Sequence, residues 1–258
     1  MNRHRSAFAA PAAALAFLLA ACTTTPPPPP PTAAPPPTTA PATTPPQSAS
    51  LHWIRTAAEH RAVFLQTYEA AGQRLAELVE GRDPFTWAIS IDGDETLLDN
   101  SQYQKEREAV GAGFTTESWN AWVRRQEAPA LPGSVAFLET VRSLGGRIAV
   151  VTNRDESVCV ATEDNLRRER VPYDVVLCKP VAGPSDKAPR WQAIERGTAA
   201  ETLPPLSLVM WVGDNVGDFP GGTQAWRDAP EAALEPFGDR FWMLPNPAYG
   251  SWERNPPR

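Results

Sequence analysis

The sequence predicts a doubly wound α/β fold, an open parallel sheet with helices on both faces. Three observations lead there. First, four short runs, "TWAISID" (86–92), "RIAVVTN" (147–153), "YDVVLC" (173–178) and "LSLVMWVGD" (206–214), with a weaker fifth, "RFWML" (240–244), are continuously apolar rather than alternating. Strands buried on both faces read this way, and they belong to parallel sheets covered on each side. Second, segments of helical character, "GSVAFLETVRSLGG" and "ATEDNLRRERV", lie between them as crossover helices would. Third, three of the runs end on polar residues, Asp92, Thr152 and Asp214. In open parallel sheets, ligands bind just beyond the carboxyl ends of the strands.

The chain begins outside this fold. The first 49 residues hold 13 of the 29 prolines, no acid, and only Arg3 and Arg5 as charges. "MNRHRSAFAAPAAALAFLLAAC" has the basic start, apolar stretch and small residues of a secretory signal, residues 1–21. Its apolar run is shorter than the ~20 residues of a spanning helix. Leu19-Ala20-Ala21-Cys22 resembles a bacterial lipobox, which implies cleavage before Cys22 and lipidation of that residue. An ordinary signal peptide with a chance cysteine is the plainer alternative. Several acyl chains on Cys22 would anchor the protein firmly to a membrane. The expected location is the bacterial cell envelope, at the outer membrane or its periplasmic face. Residues 22–49 are a Pro/Thr/Ala-rich tether with nothing to pack. The 27 residues from Thr23 to Ala49 could span roughly 80 Å at ~3.1 Å each, as a stalk or as a tolerated insert.

Residues 50–258 are the folded body. With Arg3 and Arg5 set aside, it carries 22 of the 24 basic residues and all 30 acidic ones, a net charge of −8. Only three lysines occur, Lys105, Lys179 and Lys187. A nucleic-acid polymer rewards clustered Lys and Arg, so it is a poor partner. In residues 51–80, Leu51, Ile54, Ala58, Phe64, Leu65, Tyr68, Leu75 and Leu78 form a helical stripe over one or two helices. Gly81 and Pro84 end it. After the first strand, residues 99–130 form an insertion where a lid would lie. Its Tyr103, Trp119 and Trp122 either stack on a substrate's base or pack as core, since Trp119 and Trp122 are three apart on a helix.

Asp92, Asp94, Asp214 and Asp218 follow two buried strands and converge on one rim. Two carboxylates 4 Å apart repel by about 4 kcal/mol at an effective dielectric of 20. A hard divalent ion, best Mg²⁺, would offset this. Each acid alone could be a turn or cap residue; two acidic loops after two buried strands favour a site. Other schemes lack their residues. His4, His52 and His60 are the only histidines, none near a strand end. A histidine nucleophile, a Ser-His-Asp triad and a His-rich zinc site are disfavoured. Neither Cys159 nor Cys178 has an arginine six residues on, so a cysteine phosphatase loop is absent. A carboxylate remains as nucleophile. Cys159 follows the second strand and Cys178 ends the third. Outside the cytosol they could form a disulfide worth ~3 kcal/mol; two buried thiols are the alternative.

"DGDET", "VVTNR", "SDKAPRW" and "VGDNVGDF", in that order, resemble the four motifs of the haloacid dehalogenase superfamily of phosphatases. "WIRTAAEHRA", "ESWNAWV", "ALPGSVAFL" and "LPNPAYGSWE" are similar to the class C acid phosphatases, the bacterial surface lipoprotein 5′-nucleotidase family. The likeness covers about residues 50–254. It departs at Gly93, where the family usually has an aliphatic residue. The resemblance implies a Rossmann-like core of haloacid dehalogenase type, with a small helical side element from the N-terminal helix and the insertion. It implies a Mg²⁺-dependent acid phosphatase acting on phosphate monoesters, nucleoside 5′-monophosphates above all, through an aspartyl-phosphate. Asp92 would be the nucleophile and Asp94 the general acid and base. Asp92, Asp214 and the backbone carbonyl of Asp94 would hold the metal, with Asp218 in support. Thr152, the backbone N–H of Asn153 and Lys187 would bind phosphate. Lys179 is a rival to Lys187, which Ser185 and Asp186 would place at a helix start. Two alternatives stand beside hydrolysis: a non-catalytic lipoprotein using the fold as a binding module, and transfer of phosphate to an alcohol. The expected partners are small phosphorylated metabolites and, through Cys22, a membrane; an oligomer is compatible with the sequence.

Overall fold

A computed structural model describes residues 47–257. The signal segment, Cys22 and nearly all of the tether lie outside the described residues. Among the described residues no helix is long and apolar enough to cross a membrane.

Two N-terminal helices come first, α1 (Ala49–Thr56) and α2 (Ala58–Leu78). The tether ends sooner than its composition suggests. Ser48 caps α1, its Oγ accepting from the Leu51 N–H at 3.3 Å. Ala57 is extended, with ψ 132°, and this break resets the helical phase. The inner face of α2 is therefore His60, Phe64, Tyr68, Ala71 and Leu75, while Ala58 and Leu65 point outward.

Five strands follow: β1 (Trp87–Ile91), β2 (Arg147–Asp155), β3 (Val175–Lys179), β4 (Ser207–Gly213) and β5 (Phe241–Met243). They lie in the order β3-β2-β1-β4-β5 and every pairing is parallel. The first strand is thus central, and the chain winds outward from it in both directions. The two faces of β1 and β2 feed different cores. Ile89, Ile91, Ile148 and Val150 meet α2, α5 (Ser134–Ser143) and α6 (Cys159–Arg168). Ala88, Ala149 and Val151 meet α7 (Ala188–Arg196) in a layer rich in Trp191, Trp211, Phe219 and Phe241. Residues β1 and β4 bury almost completely, as continuous apolarity predicts. β3 does not: only Val175 is buried, because an edge strand has a neighbour on one side only.

The insertion after β1 folds as α3 (Ser101–Ala109) and α4 (Thr116–Arg125). A Thr115–Ser118 capping box starts α4, and Gln126, at φ 55°, ends it. Tyr103, Trp122 and Val123 belong to the same core as the α2 and α5 side chains. The insertion is therefore integral to the core rather than a detached lid.

Candidate active site

β1 and β4 are neighbours, and the chain leaves β1 toward β2 on one side and β4 toward β5 on the other, so their carboxyl ends flank the point where strand order reverses. Ile91 pairs with Val212, and the Asp92 N–H donates to the Val212 carbonyl at 2.9 Å. The next residues on the two strands then bring Asp92 and Asp214 together. Asp218 returns to the same place through a tight turn: its Oδ2 accepts from the Asn215 N–H at 2.9 Å. Gly213 permits this, because a Cβ there would lie 2.4 Å from the Asp218 side chain. Carboxylate oxygens of Asp92, Asp214 and Asp218 all lie within 4.8 Å of one another.

Lys187 lies at the N-cap of α7, buried, with Nζ on Asp92 and on Asp218 Oδ1, the latter at 2.6 Å. Asp186 Oδ1 accepts from the Ala188 N–H at 2.9 Å, so Asp186 rather than Ser185 makes the local capping bond. Lys179 is elsewhere, 2.8 Å from Asp155. Burial raises Asp92 to about 7, Lys187 opposing and Asp218 and Asp94 adding to the rise. Burial, then Asp218 and Asp92, also raise Asp214 well above the carboxylate range. Burial pulls Lys187 down, but Asp218 and Asp92 outweigh it and hold its ammonium above the ordinary value. Three carboxylates against one ammonium leave two negative charges. An all-oxygen donor set with that excess fits a hard divalent cation.

Asp94 faces the other way. Its carboxylate joins Arg154 on β2, and Asn100, not the Asp92 cluster. Arg154, fully buried, has Nε at 2.9 Å and Nη2 at 2.7 Å from Asp94 Oδ1. Asn100 donates to the same oxygen at 2.9 Å and accepts from Trp122 Nε1 at 2.8 Å. Next to Asp94, Glu95 is buried at φ 52° and accepts from the Asn100 N–H at 2.9 Å. Burial, then Asp94 and Asp214, raise its carboxyl well above the usual range.

Thr152 and Asn153 occupy the irregular end of β2, where pairing with β3 shifts register between Val151 and Asp155. Thr152 is buried and its Oγ1 accepts from the Arg154 N–H at 3.1 Å. Arg190 pins the segment, donating to the Thr152 carbonyl at 2.5 Å and to Asn153 Oδ1 at 2.7 Å. Gly93 lies against this segment: a Cβ would be 3.3 Å from Thr152 Cβ and Oγ1. Cys159, at the start of α6, and Cys178, in β3, are joined in a disulfide.

The aromatic expectation needs correction. Tyr103 and Trp122 are 3% exposed and locked in the core. Tyr103 Oη is hydrogen-bonded to Ser118 Oγ at 2.9 Å, and Trp122 spends its indole N–H on Asn100. Neither can stack on a ligand. Trp119 is half-buried, its ring 5.7 Å from the Arg154 guanidinium carbon. Sequence reading passed over Arg154, Asn100, Arg190 and Asn246, which donates to Asp214 Oδ2 at 2.8 Å. All but Asn100 lie inside quoted motif segments, "VVTNR", "SDKAPRW" and "LPNPAYGSWE". Asn100 closes the stretch begun by "DGDET", an amide directly after an acid loop.

Strand order and site chemistry place the chain among haloacid dehalogenase-type α/β proteins. Within that superfamily it belongs to subfamily IIIB, the acid phosphatases, whose family match runs over residues 22–252. In structure it is similar to the class C acid phosphatase from Bacillus anthracis, with TM-score 0.69 and 31% identity, covering 79% of this chain and 85% of that one. It matches the tungstate-bound form of that protein with the same values. In sequence it is similar to two stem glycoproteins of Glycine max, of 28 and 31 kDa. They are 29% and 28% identical over 64% and 63% of this chain. The chain spans little more than half the length of those relatives, 59% and 51%. It is also 32% identical, over 87 residues, to acid phosphatase 1 of Solanum lycopersicum, covering 34% of this chain and 32% of that one.

Proposed function

We propose that this protein is a Mg²⁺-dependent acid phosphatase that hydrolyses phosphate monoesters, nucleoside 5′-monophosphates among them, and that Cys22 anchors it by lipid to the bacterial envelope. The observation that carries the enzymatic reading is the cluster of Asp92, Asp214 and Asp218 around Lys187 at the reversal point of the sheet. The tungstate bound by the Bacillus anthracis protein supports it, because tungstate is a tetrahedral oxyanion like phosphate.

In this reading an Asp92 oxygen attacks phosphorus and displaces the alcohol, forming the aspartyl-phosphate. Asp94 gives the departing oxygen its proton. It then takes a proton from the water that cleaves the phosphoenzyme, releasing phosphate and restoring Asp92. Lys187 and the Thr152 segment bind the phosphoryl oxygens. Asp92, Asp214, Asp218 and the Asp94 carbonyl would hold the divalent ion, which supplies positive charge to an anionic substrate. Trp119, with the exposed Phe114 ring 6.2 Å away, remains the aromatic surface for a base.

Purified residues 47–258 should release phosphate from p-nitrophenyl phosphate with Mg²⁺ and stop with EDTA. Nucleoside 5′-monophosphates should be cleaved faster than sugar phosphates. No release from any monoester would sink the enzymatic reading and favour a binding module. Alkyl phosphate formed in added alcohol at the expense of inorganic phosphate would make the protein a transferase. Failure of labelled fatty acid to enter the full chain expressed in a bacterium would remove the anchor.

A further inference from the structure

We propose that Arg154 is a positioning residue for Asp94: it fixes the carboxyl group so that Oδ1 only accepts and Oδ2 alone carries the transferred proton. This rests on the reading of Asp94 as general acid and base. Oδ1 of Asp94 accepts from two N–H groups, Nε of Arg154 and Nδ2 of Asn100, with the Arg154 Nη2 nitrogen 2.7 Å away in the ion pair. Among the described residues, no donor reaches Oδ2. An oxygen surrounded by N–H donors cannot also bear a proton, because its O–H would point at another donor. The acid proton is therefore confined to Oδ2, and a carboxyl group that could rotate is held in one orientation.

The holders are themselves held. Arg154 Nη1 donates to Thr162 Oγ1 at 3.4 Å, and Nη2 to Asn100 Oδ1 at 3.2 Å. Asn100 is fully buried and takes the Trp122 indole N–H on the same Oδ1. The Trp119 ring lies close to the guanidinium. A buried guanidinium is costly to desolvate, and apolar side chains in place of the whole ion pair would often serve stability as well, although removing Arg154 alone strands the Asp94 carboxylate. What apolar side chains cannot do is hold one carboxylate oxygen with a charged N–H while the rest of a rigid guanidinium is fixed by Asn100 and Thr162. The spacing of "VVTNR" puts this guanidinium two residues after Thr152, beside the phosphate segment.

The test separates positioning from support of the fold. p-Nitrophenolate leaves with little help from an acid, whereas the alcohol of glycerol 2-phosphate must be protonated as it leaves. kcat/KM reports the steps up to phosphoryl transfer, so its ratio between the two substrates reads proton delivery. Arg154→Met should lower kcat/KM for glycerol 2-phosphate at least about tenfold more than for p-nitrophenyl phosphate. Arg154→Lys keeps the buried cation but not the rigid guanidinium, and should fall between; it also serves if Arg154→Met does not fold. Asp94→Asn should show the same selective loss, larger, and adding Arg154→Met to it should change the ratio no further. Folded Arg154 variants that lose both substrates equally would overturn the proposal alone. Asp94→Asn without a selective loss would overturn the general-acid reading and this proposal with it. A parent protein inert to both substrates would remove the phosphatase reading that underlies both.

Discussion

On the β4 side of Asp92, three carboxylates face one lysine; on the β2 side, the Asp94 carboxylate faces a guanidinium and an amide. The two halves of the site lie two residues apart in sequence and solve opposite problems. The first is under-neutralised. Burial raises Asp92 to about 7 and Asp214 well above the carboxylate range, so ionising the cluster calls for more positive charge than Lys187 brings. The second supplies its own counter-charge and keeps one side chain still. A cation site and a proton carrier need different surroundings, and a single loop serves both because β4 approaches it from one side and β2 from the other.

Predictions that break or sharpen this contrast run from large to small. Asp92→Asn should lower turnover at least about a thousandfold, since removal of a nucleophile costs several powers of ten. Residual activity near that of the parent would move the nucleophile elsewhere. Next comes the disulfide, which braces only the β2–β3 flank. Cys159→Ser should destabilise by ~3 kcal/mol for a loop of this length, a fall in Tm on the order of 8 °C. The Mg²⁺ concentration for half-maximal activity should not move. Equal melting of the parent with and without reductant would remove the bridge.

The pH dependence of stability tests the under-neutralised half. Asp92, Asp214 and Glu95 have folded pKa values above their unfolded ones. Their contribution is complete below the unfolded carboxylate value, about 4, and is lost as pH rises through the folded values. Burial lowers His60, against a smaller rise from Asp99, so this one group acts oppositely and favours the higher pH. Three groups outweigh one. Without a divalent ion the protein should melt on the order of 5 °C lower at pH 8 than at pH 5. Mg²⁺ should restore more at pH 8. A flat melting profile in EDTA would show that the cluster does not bury uncompensated charge. The smallest effect concerns Asn246, which holds Asp214 but not Asp94. Asn246→Ala should raise the half-maximal Mg²⁺ concentration roughly tenfold, as loss of a ligand's supporting partner does. Asp94→Asn should leave it unchanged. If both shifted it alike, the two halves would be one unit.

Much of this was legible in the residues. Strands end where they do because an apolar run stops at Asp92 or Asp214, and a buried strand tolerates no acid before its rim. Parallel order followed from runs too apolar to face water. The tryptophans were harder to read. Trp119 and Trp122 share a helix, and helical spacing alone does not say which of two indoles meets solvent. Both rings pack against Tyr103, but the bond to Asn100 holds Trp122 in the core, while Trp119 stays half open. The inner face of α2 departs from the stripe that the spacing predicts at Ala58 and Leu65, because a single extended residue, Ala57, resets the phase. Local propensity does not announce such a break.

The amino-acid order by itself determined the α/β class, the rim on which the acids gather, and the absence of any histidine from the strand ends, because periodicity and residue type are local properties of a chain. Only the tertiary structure decided which acid stands with which base. Lys187 rather than Lys179 reaches Asp92, Asp218 joins the cluster itself, and Arg154 claims Asp94. The Arg154–Asp94 and Lys187–Asp92 pairings join residues 60 and 95 positions apart. Their energies depend on burial and separation, which exist only once the sheet has brought the strand ends together.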